Sequence, residues 1–316
     1  LKPLLLSLQV LAMSTDENSG GDTSGNRAPC RLVALDGNGT LLQDDGVTVG
    51  EYTRDVLGRV QARGIPVVLV TGRSLEKARP TLELVGLEQY VITENGTRAM
   101  SIKDGHALYE LWLDGSEAAE PIRRVRAKFP DCNFCQLTAD APMIEASHPW
   151  LRTEGEAKEV TQKLFPRIVP DVVAALTVGT HKAAKSYVTV ESSTDFAATM
   201  SEILEAAGEG WSVRAVKQLL PGGVTNTCEV QSTRINKADG LAALCKEIGV
   251  PMENVWAFGD DANDARMLSE VGWGVRMANH LPGLAGVGND VTSRTNQEEG
   301  IAYYLEEHLL CDDPAG

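Results

Sequence analysis

The amino-acid sequence predicts an α/β protein: a parallel-sheet core with a smaller α/β domain inserted into it. Three observations lead there. Short apolar runs rich in β-branched residues recur toward both ends of the chain, helical stripes stand beside them, and the middle of the chain has a different texture. The runs are Arg31 to Leu35 (RLVAL), Val67 to Val70 (VVLV), Val91 to Thr93 and Val255 to Phe258 (VWAF), apolar enough for strands covered on both faces. Between the first two lies Glu51 to Arg63, with Tyr52, Val56, Leu57 and Val60 on one helical face and Gly64 placed for a left-handed C-terminal cap. Strand, helix and strand in that order predict parallel strands joined by a right-handed crossover.

The alternation resumes at Ala238 to Ile248, a helix with Leu241, Leu244, Cys245 and Ile248 on one face. Asn236 is placed to cap it, Asp239 sits in its first turn and Gly249 follows it. The residues between read as an insertion. There Ser186 to Glu191 alternates weakly, Trp211 to Lys217 is strand-like, and Phe196, Met200, Ile203, Leu204 and Ala207 form a stripe ending at Gly208. The boundaries that follow are a Rossmann-like core over residues 31–97 and 231–316, an inserted α/β cap over 98–230, and an N-terminal extension over 1–30. Leu4 to Ala12 (LLLSLQVLA), after Lys2, fits part of a targeting segment and is too short to span a bilayer. The alternative, favoured here, has the protein begin at Met13, with Ser14 to Pro29 as a polar disordered arm and a cytoplasmic location.

Charge narrows the partners. Lys and Arg number 29 against 44 Asp and Glu, a net charge of −15, which repels nucleic-acid backbones and anionic lipid. Neither nucleic acid nor membrane is therefore an expected partner, whereas a small anionic substrate remains compatible if a bound divalent cation reverses the field locally. The six cysteines are scattered and read as reduced thiols. The pair Cys132 and Cys135 has zinc or redox spacing but no second pair to complete a tetrahedral site.

Chemistry enters where the strands end. RLVAL runs into Asp36-Gly37-Asn38-Gly39-Thr40, a carboxylate at the C-terminal end of a parallel strand, where open α/β sheets place ligands. Alone this string reads equally well as a turn. It is not a calcium loop of EF-hand type, because Leu41 and Val47 stand where Gly and Glu are needed. Thr71-Gly72-Arg73 ends the second strand and offers a hydroxyl and amides to a phosphoryl oxygen. Lys237 begins the helix after the insertion, where its ammonium and the positive helix end can face an anion. Gly259-Asp260-Asp261-Ala262-Asn263-Asp264 ends VWAF and supplies hard oxygens suited to magnesium. Singly each is commonplace; four in this order, each at a strand end or helix start, point to phosphate chemistry. His106, His148 and His181 fall in or near the insertion, where they could touch substrate, although scattered histidines are more often structural or exposed. No G-x-G-x-x-G follows the first strand, which disfavours a dinucleotide site.

With these motifs the chain resembles the haloacid dehalogenase superfamily, in its Cof-type branch, from about Arg31 to Glu307. The first motif resembles Asp36 to Leu42 (DGNGTLL), the second Thr71-Gly72-Arg73, the third Lys237 and the fourth Gly259 to Asp264. The Asn-Gly after the third strand resembles Asn95-Gly96, and the tail resembles Met277-Ala278-Asn279 and Glu299-Gly300-Ile301-Ala302. The resemblance implies a Mg²⁺-dependent phosphatase in which Asp36 attacks phosphorus to form an aspartyl-phosphate. It further implies that magnesium is held by Asp36, the main-chain carbonyl of Asn38, Asp260 and Asp264, with Asn263 in support. Thr71, Gly72, Arg73 and Asn95 would serve the phosphoryl group and substrate, beneath a cap that closes over the site. A carboxylate can approach a phosphoryl dianion only when cations screen the repulsion, and a metal with Lys237 would do so. The expected substrate is a small phosphorylated metabolite such as a sugar phosphate.

One position departs from the pattern. Family phosphatases carry a second Asp two residues after the nucleophile, which protonates the leaving oxygen and then activates water. Here that residue is Asn38. An amide does neither, and losing such a group costs about 10² to 10⁴ in rate. The chain is then a slower phosphatase or one suited to good leaving groups, a phosphoryl transferase with a long-lived intermediate, or a module that binds a phosphorylated ligand. Asn38 as an introduced trapping substitution, and deamidation at Asn38-Gly39, are the plainer possibilities.

Overall fold

The computed structural model describes residues 28–178, 180–216 and 226–311. Most of the expected N-terminal extension, including the segment over residues 1–12, lies outside the described residues, as does Lys217 at the end of one expected strand. In chain order the elements are β1 (Leu32–Leu35), α1 (Glu51–Ala62), β2 (Val67–Val70), α2 (Leu75–Val85), β3 (Tyr90–Thr93), β4 (Arg98–Ser101) and β5 (Ala107–Glu110). Then come β6 (Leu113–Asp114), α3 (Gly115–Lys128), β7 (Asn133–Thr138), β8 (Met143–Glu145), α4 (Glu156–Leu164), β9 (Arg167–Val169), α5 (Val172–Thr177), β10 (Lys182–Thr189), α6 (Phe196–Ala207), β11 (Trp211–Ala215) and β12 (Thr227–Ser232). The chain finishes with α7 (Lys237–Ile248), β13 (Val255–Gly259), α8 (Ala265–Glu270), β14 (Trp273–Arg276), β15 (Asp290–Val291) and α9 (Gly300–His308).

The larger sheet has the order β15-β14-β13-β1-β2-β3-β4-β5. From β15 to β3 neighbours are parallel; β4 and β5 run antiparallel at one edge. Alternate residues of its central strands face opposite cores. Val33, Leu35, Val67, Leu69, Trp256 and Phe258 pack toward α1, α2 and α9, while Leu32, Ala34, Val68, Val70, Val255 and Ala257 pack toward α7 and α8. Each fully buried Val or Leu contributes roughly 1.5–3 kcal/mol, so a sheet covered twice explains why these strands read as unbroken apolar runs. The chain leaves β1 for β2 and β3 on one side and returns to β13 and β14 on the other. This reversal opens a crevice at the C-terminal end of β1, directly before Asp36.

The second sheet has the order β11-β12-β10-β7-β8-β9, with β6 also paired to β10, and α3, α5 and α6 cover one of its faces. The observed boundaries differ from the expected ones. Residues 98–110, assigned from sequence to the inserted cap, form β4 and β5 of the larger sheet, so the chain crosses into the second sheet only after Glu110. Their short antiparallel hairpin satisfies the edge of the parallel sheet without a helical crossover, a connection that the α/β alternation does not announce. The return crossing also shifts, since β12 extends through Ser232. Among the described residues no helix is long and apolar enough to cross a membrane.

Candidate active site

Asp36 follows β1 immediately and is 6% exposed; Lys237 and Asp264 are more deeply buried. Lys237 Nζ donates to Asp36 Oδ1 and, at 2.6 Å, to Asp264 Oδ1. Asn236 caps α7 by accepting from the Asp239 amide at 3.0 Å, which fixes where the helix starts and hence where Lys237 projects. Gly96 takes φ 102°, and a Cβ there would stand 2.0 Å from the Asn236 carbonyl, so the Asn95-Gly96 turn is what lets α7 begin against the sheet.

Asp260 follows β13 directly, and its Oδ1 accepts from Thr40 Oγ1 at 2.7 Å. Gly39, at φ 77°, faces the same carboxylate; a Cβ would lie 2.3 Å from Asp260 Oδ2. Asp264 Oδ2 accepts from the amides of Asp260 and Asp261, both at 3.0 Å. Asp36, Asp260 and Asp264 thus present carboxylate oxygens within 4.8 Å of one another.

Three carboxylates answered by one ammonium leave a negative surplus. Burial raises the Asp36 carboxyl to about 6, with Lys237 opposing and Asp264 adding to the rise. Burial and the Asp36 charge raise Asp260 to about 8. Lys237 keeps its proton more firmly than a free lysine: burial opposes this, and Asp264 with Asp36 outweighs it. Crowded carboxylates that hold protons above their ordinary range are a donor set that a divalent cation fits, and hard oxygens select Mg²⁺ over softer metals. Asp264 already accepts three hydrogen bonds, so its stronger geometric tie is to Lys237 and the Asp260 backbone; Asp36 and Asp260 are the more available donors.

Thr71 is 1% exposed and its Oγ1 accepts from the Arg73 amide at 3.2 Å, which leaves its hydroxyl proton to donate elsewhere. Asn38 is exposed, and its Oδ1 accepts from Arg73 Nη2, which also donates to the Gly46 carbonyl at 2.6 Å. Asn95 and Asn263 are hydrogen-bonded to each other and, through Asn95, to the second sheet. Asn95 Nδ2 donates to Glu229 Oε1 at 2.9 Å and Gln231 Oε1 at 2.8 Å, while its Oδ1 accepts from Asn263 Nδ2 at 3.0 Å. The two amides therefore join the β13 loop to the second sheet. Gly72 lies under that sheet, its carbonyl accepting from Lys185 Nζ at 2.7 Å.

Lys185, Arg214, Glu229 and Gln231 escaped notice in the sequence. Lys185 on β10 pairs with Glu229 on β12 at 2.5 Å, and Arg214 on β11 reaches Glu229 at 3.2 Å and Asp261 at 3.9 Å. Burial alone would raise the Glu229 carboxyl; Lys185 and Arg214 hold it below its ordinary value. The available signal was the alternation Thr227, Glu229, Gln231 against Cys228 and Val230, which ordinarily marks a half-solvated strand. Here the polar face is buried too. His148 lies away from this cluster, in an edge-on contact with Trp150, with burial pushing its imidazole down to about 3. All six cysteines are free, and burial raises the Cys132 thiol to about 12.

Residues 33–305 match the family described as haloacid dehalogenase-like hydrolase. The chain is 27% identical over 281 residues, 89% of its length and 96% of the other's, to the 5-amino-6-(5-phospho-D-ribitylamino)uracil phosphatase of Bacillus subtilis. It is 30% identical over 264 residues to the HMP-PP phosphatase of Cronobacter sakazakii, covering 80% of this chain and 86% of that one. Its fold is similar to that of a solved haloalkanoate-superfamily phosphatase from Bacteroides thetaiotaomicron, with TM-score 0.68, 19% identity and coverage of 93% and 99%. A structure from Thermotoga maritima is similar at TM-score 0.68 and 19% identity, over 88% of this chain and 97% of that one. The chain belongs to the haloacid dehalogenase-like hydrolases, in their Cof-type phosphatase branch.

Proposed function

We propose that this protein is a Mg²⁺-dependent phosphatase that acts on a small phosphorylated metabolite through an aspartyl-phosphate on Asp36. The observation that carries the reading is the cluster of Asp36, Asp260 and Asp264 around Lys237, at the C-terminal end of the central parallel strand. Relatives named as phosphatases of a phosphoribitylamino-uracil and of HMP-PP support a small phosphorylated substrate.

Asp36 and Asp260, with the Asn38 main-chain carbonyl and Asp264 nearby, would hold Mg²⁺, which when bound neutralises phosphoryl charge. The protein's own groups account for the rest. Lys237, locked between Asp36 and Asp264, presents a fixed ammonium to the phosphoryl oxygens and keeps the Asp36 carboxylate oriented for attack. Thr71 donates its hydroxyl proton to another phosphoryl oxygen. The second sheet, joined to the core through Asn95 and Lys185, limits the entry of water. Asn38 neither gives nor takes a proton, which slows departure of a poor leaving group and hydrolysis of the aspartyl-phosphate alike. The same departure supports a second reading, in which the intermediate persists and the phosphoryl group passes to another acceptor.

Magnesium-dependent phosphate release from a panel of sugar phosphates and an aryl phosphate tests this, comparing the chain with Asn38→Asp and Asp36→Ala. Activity lost in Asp36→Ala is expected. Activity retained by that variant would remove Asp36 as the nucleophile, and turnover by Asn38→Asp alone would favour the transferase or binding reading.

A further inference from the structure

The surroundings of Asn38 define a leaving group. Arg73 approaches the Asn38 amide, and its two hydrogen-bond acceptors, Asn38 Oδ1 and the Gly46 carbonyl, are both neutral. Among the described residues no carboxylate forms an ion pair with it. Lys185 stands on the carbonyl of the preceding residue, Gly72, and Arg214 Nη2 lies 3.3 Å from where a Gly72 Cβ would be. Lys77, in the first turn of α2, is near enough to be affected as well. Burial, together with repulsion from Arg73 and Lys185, brings its ammonium down to about 7. Arg73, Lys185 and Arg214 are answered by Glu229 and, at 3.9 Å from Arg214, by Asp261, so positive charge stays in excess beside the acidic cluster, on the side where a proton donor is missing.

An alkoxide leaving group has a conjugate acid near that of water, about 15.7, and needs a donated proton. A phosphate monoester dianion has a conjugate acid near 6 and needs none. It needs fixed positive charge instead. Resting on the phosphatase reading above, we propose that this site takes phosphoanhydrides, in which the transferred phosphoryl group is bonded to a second phosphate, and that Arg73, Lys185 and Arg214 receive the charge of that departing phosphate. An Asp36 carboxylate oxygen bonds to the terminal phosphorus while its bond to the bridging oxygen breaks. The electron pair stays on the bridging oxygen, which leaves as an anion without a proton. Water then bonds to the same phosphorus, the bond to Asp36 breaks to restore the carboxylate, and both water protons leave on inorganic phosphate. The second step lacks a base, so the first outruns it.

Three probes with magnesium separate the contributions: ethyl phosphate (poor leaving group, no second charge), 4-nitrophenyl phosphate (good leaving group, no second charge) and ethyl diphosphate (good leaving group with a second anion). In the unaltered chain kcat/KM for ethyl diphosphate exceeds that for ethyl phosphate by about 10²-fold or more, with a burst of ethyl phosphate release stoichiometric with enzyme. Asn38→Asp narrows this gap by raising ethyl phosphate far more than the diphosphate. Arg214→Met lowers the ratio of diphosphate to 4-nitrophenyl phosphate by about tenfold, a ratio independent of how much of the variant is folded. Equal turnover of ethyl phosphate and ethyl diphosphate, or an unchanged ratio in Arg214→Met, overturns the anhydride assignment and leaves the phosphatase reading standing. No phosphate release and no phosphoryl group on Asp36 from any probe, in either the unaltered chain or Asn38→Asp, overturns both.

Discussion

Two buried ionic clusters face each other in this protein, and they differ in sign. The floor, at the strand ends of the larger sheet, sets Asp36, Asp260 and Asp264 against Lys237. The roof, on the second sheet, sets Lys185 and Arg214 against Glu229, with Lys185 donating to the Gly72 carbonyl beside Arg73 of the core. A floor short of positive charge and a roof short of negative charge are complementary to a cation and an anion bound together, as a divalent ion with a phosphorylated ligand would be. The ionic groups also differ in what holds them. Floor residues are anchored by backbone amides and helix caps, roof residues by one another.

That difference can be broken from either side. The largest effect is expected on the floor: Asp36→Asn should cut turnover by about 10⁴-fold or more in steady-state assays while leaving the fold intact, because it removes the attacking oxygen and Asp264 still pairs with Lys237. On the roof, Glu229→Gln should act on stability first. It leaves Lys185 buried without its carboxylate and Arg214 with Asp261 alone, at 3.9 Å; the unpaired Lys185 costs about 3–5 kcal/mol and should lower the urea midpoint of the second domain.

The floor's surplus charge predicts a pH dependence of definite sign. Asp36 and Asp260 titrate near 6 and 8 in the fold, against 3.8 as free groups, so over that window the folded chain carries more protons than the unfolded one. Metal-free stability from these groups is therefore complete below about 3.8 and declines as pH rises toward 8. Magnesium needs the deprotonated carboxylates, so the rise in melting temperature on adding it should grow across the same window. An increment flat from pH 5 to pH 9 would contradict the floor's role in holding a cation. The smallest effect is expected from Asn236→Ala, about 1 kcal/mol for a lost helix cap, with some loss of turnover as Lys237 loses its fixed origin.

These contrasts explain what was legible in the sequence. Floor residues lie at the ends of apolar runs or the start of an amphipathic helix, so local pattern places Asp36, Thr71 and Asp260 directly after strands and Lys237 at the start of α7. Their packing was readable for the same reason: β1, β2 and β13 are buried on both faces, and such strands cannot alternate. Roof residues lie mid-strand, where polar alternation normally means solvent; only tertiary contact between two sheets turns Glu229 and Gln231 inward. Asn95 was noticed as a motif member, yet its partners are 134 and 136 residues away, beyond the reach of spacing. The hairpin of β4 and β5 was misplaced because its short strands carry no helix to mark them as part of the parallel sheet.

The most direct test of the central claim is the intact mass of the chain, acid-quenched shortly after mixing with 4-nitrophenyl phosphate and magnesium, followed by peptide mapping. The expected result is the mass gain of one phosphoryl group, confined to the peptide that contains Asp36 and absent from Asp36→Asn. Turnover without that gain, or a phosphoryl group on any other residue, would contradict it.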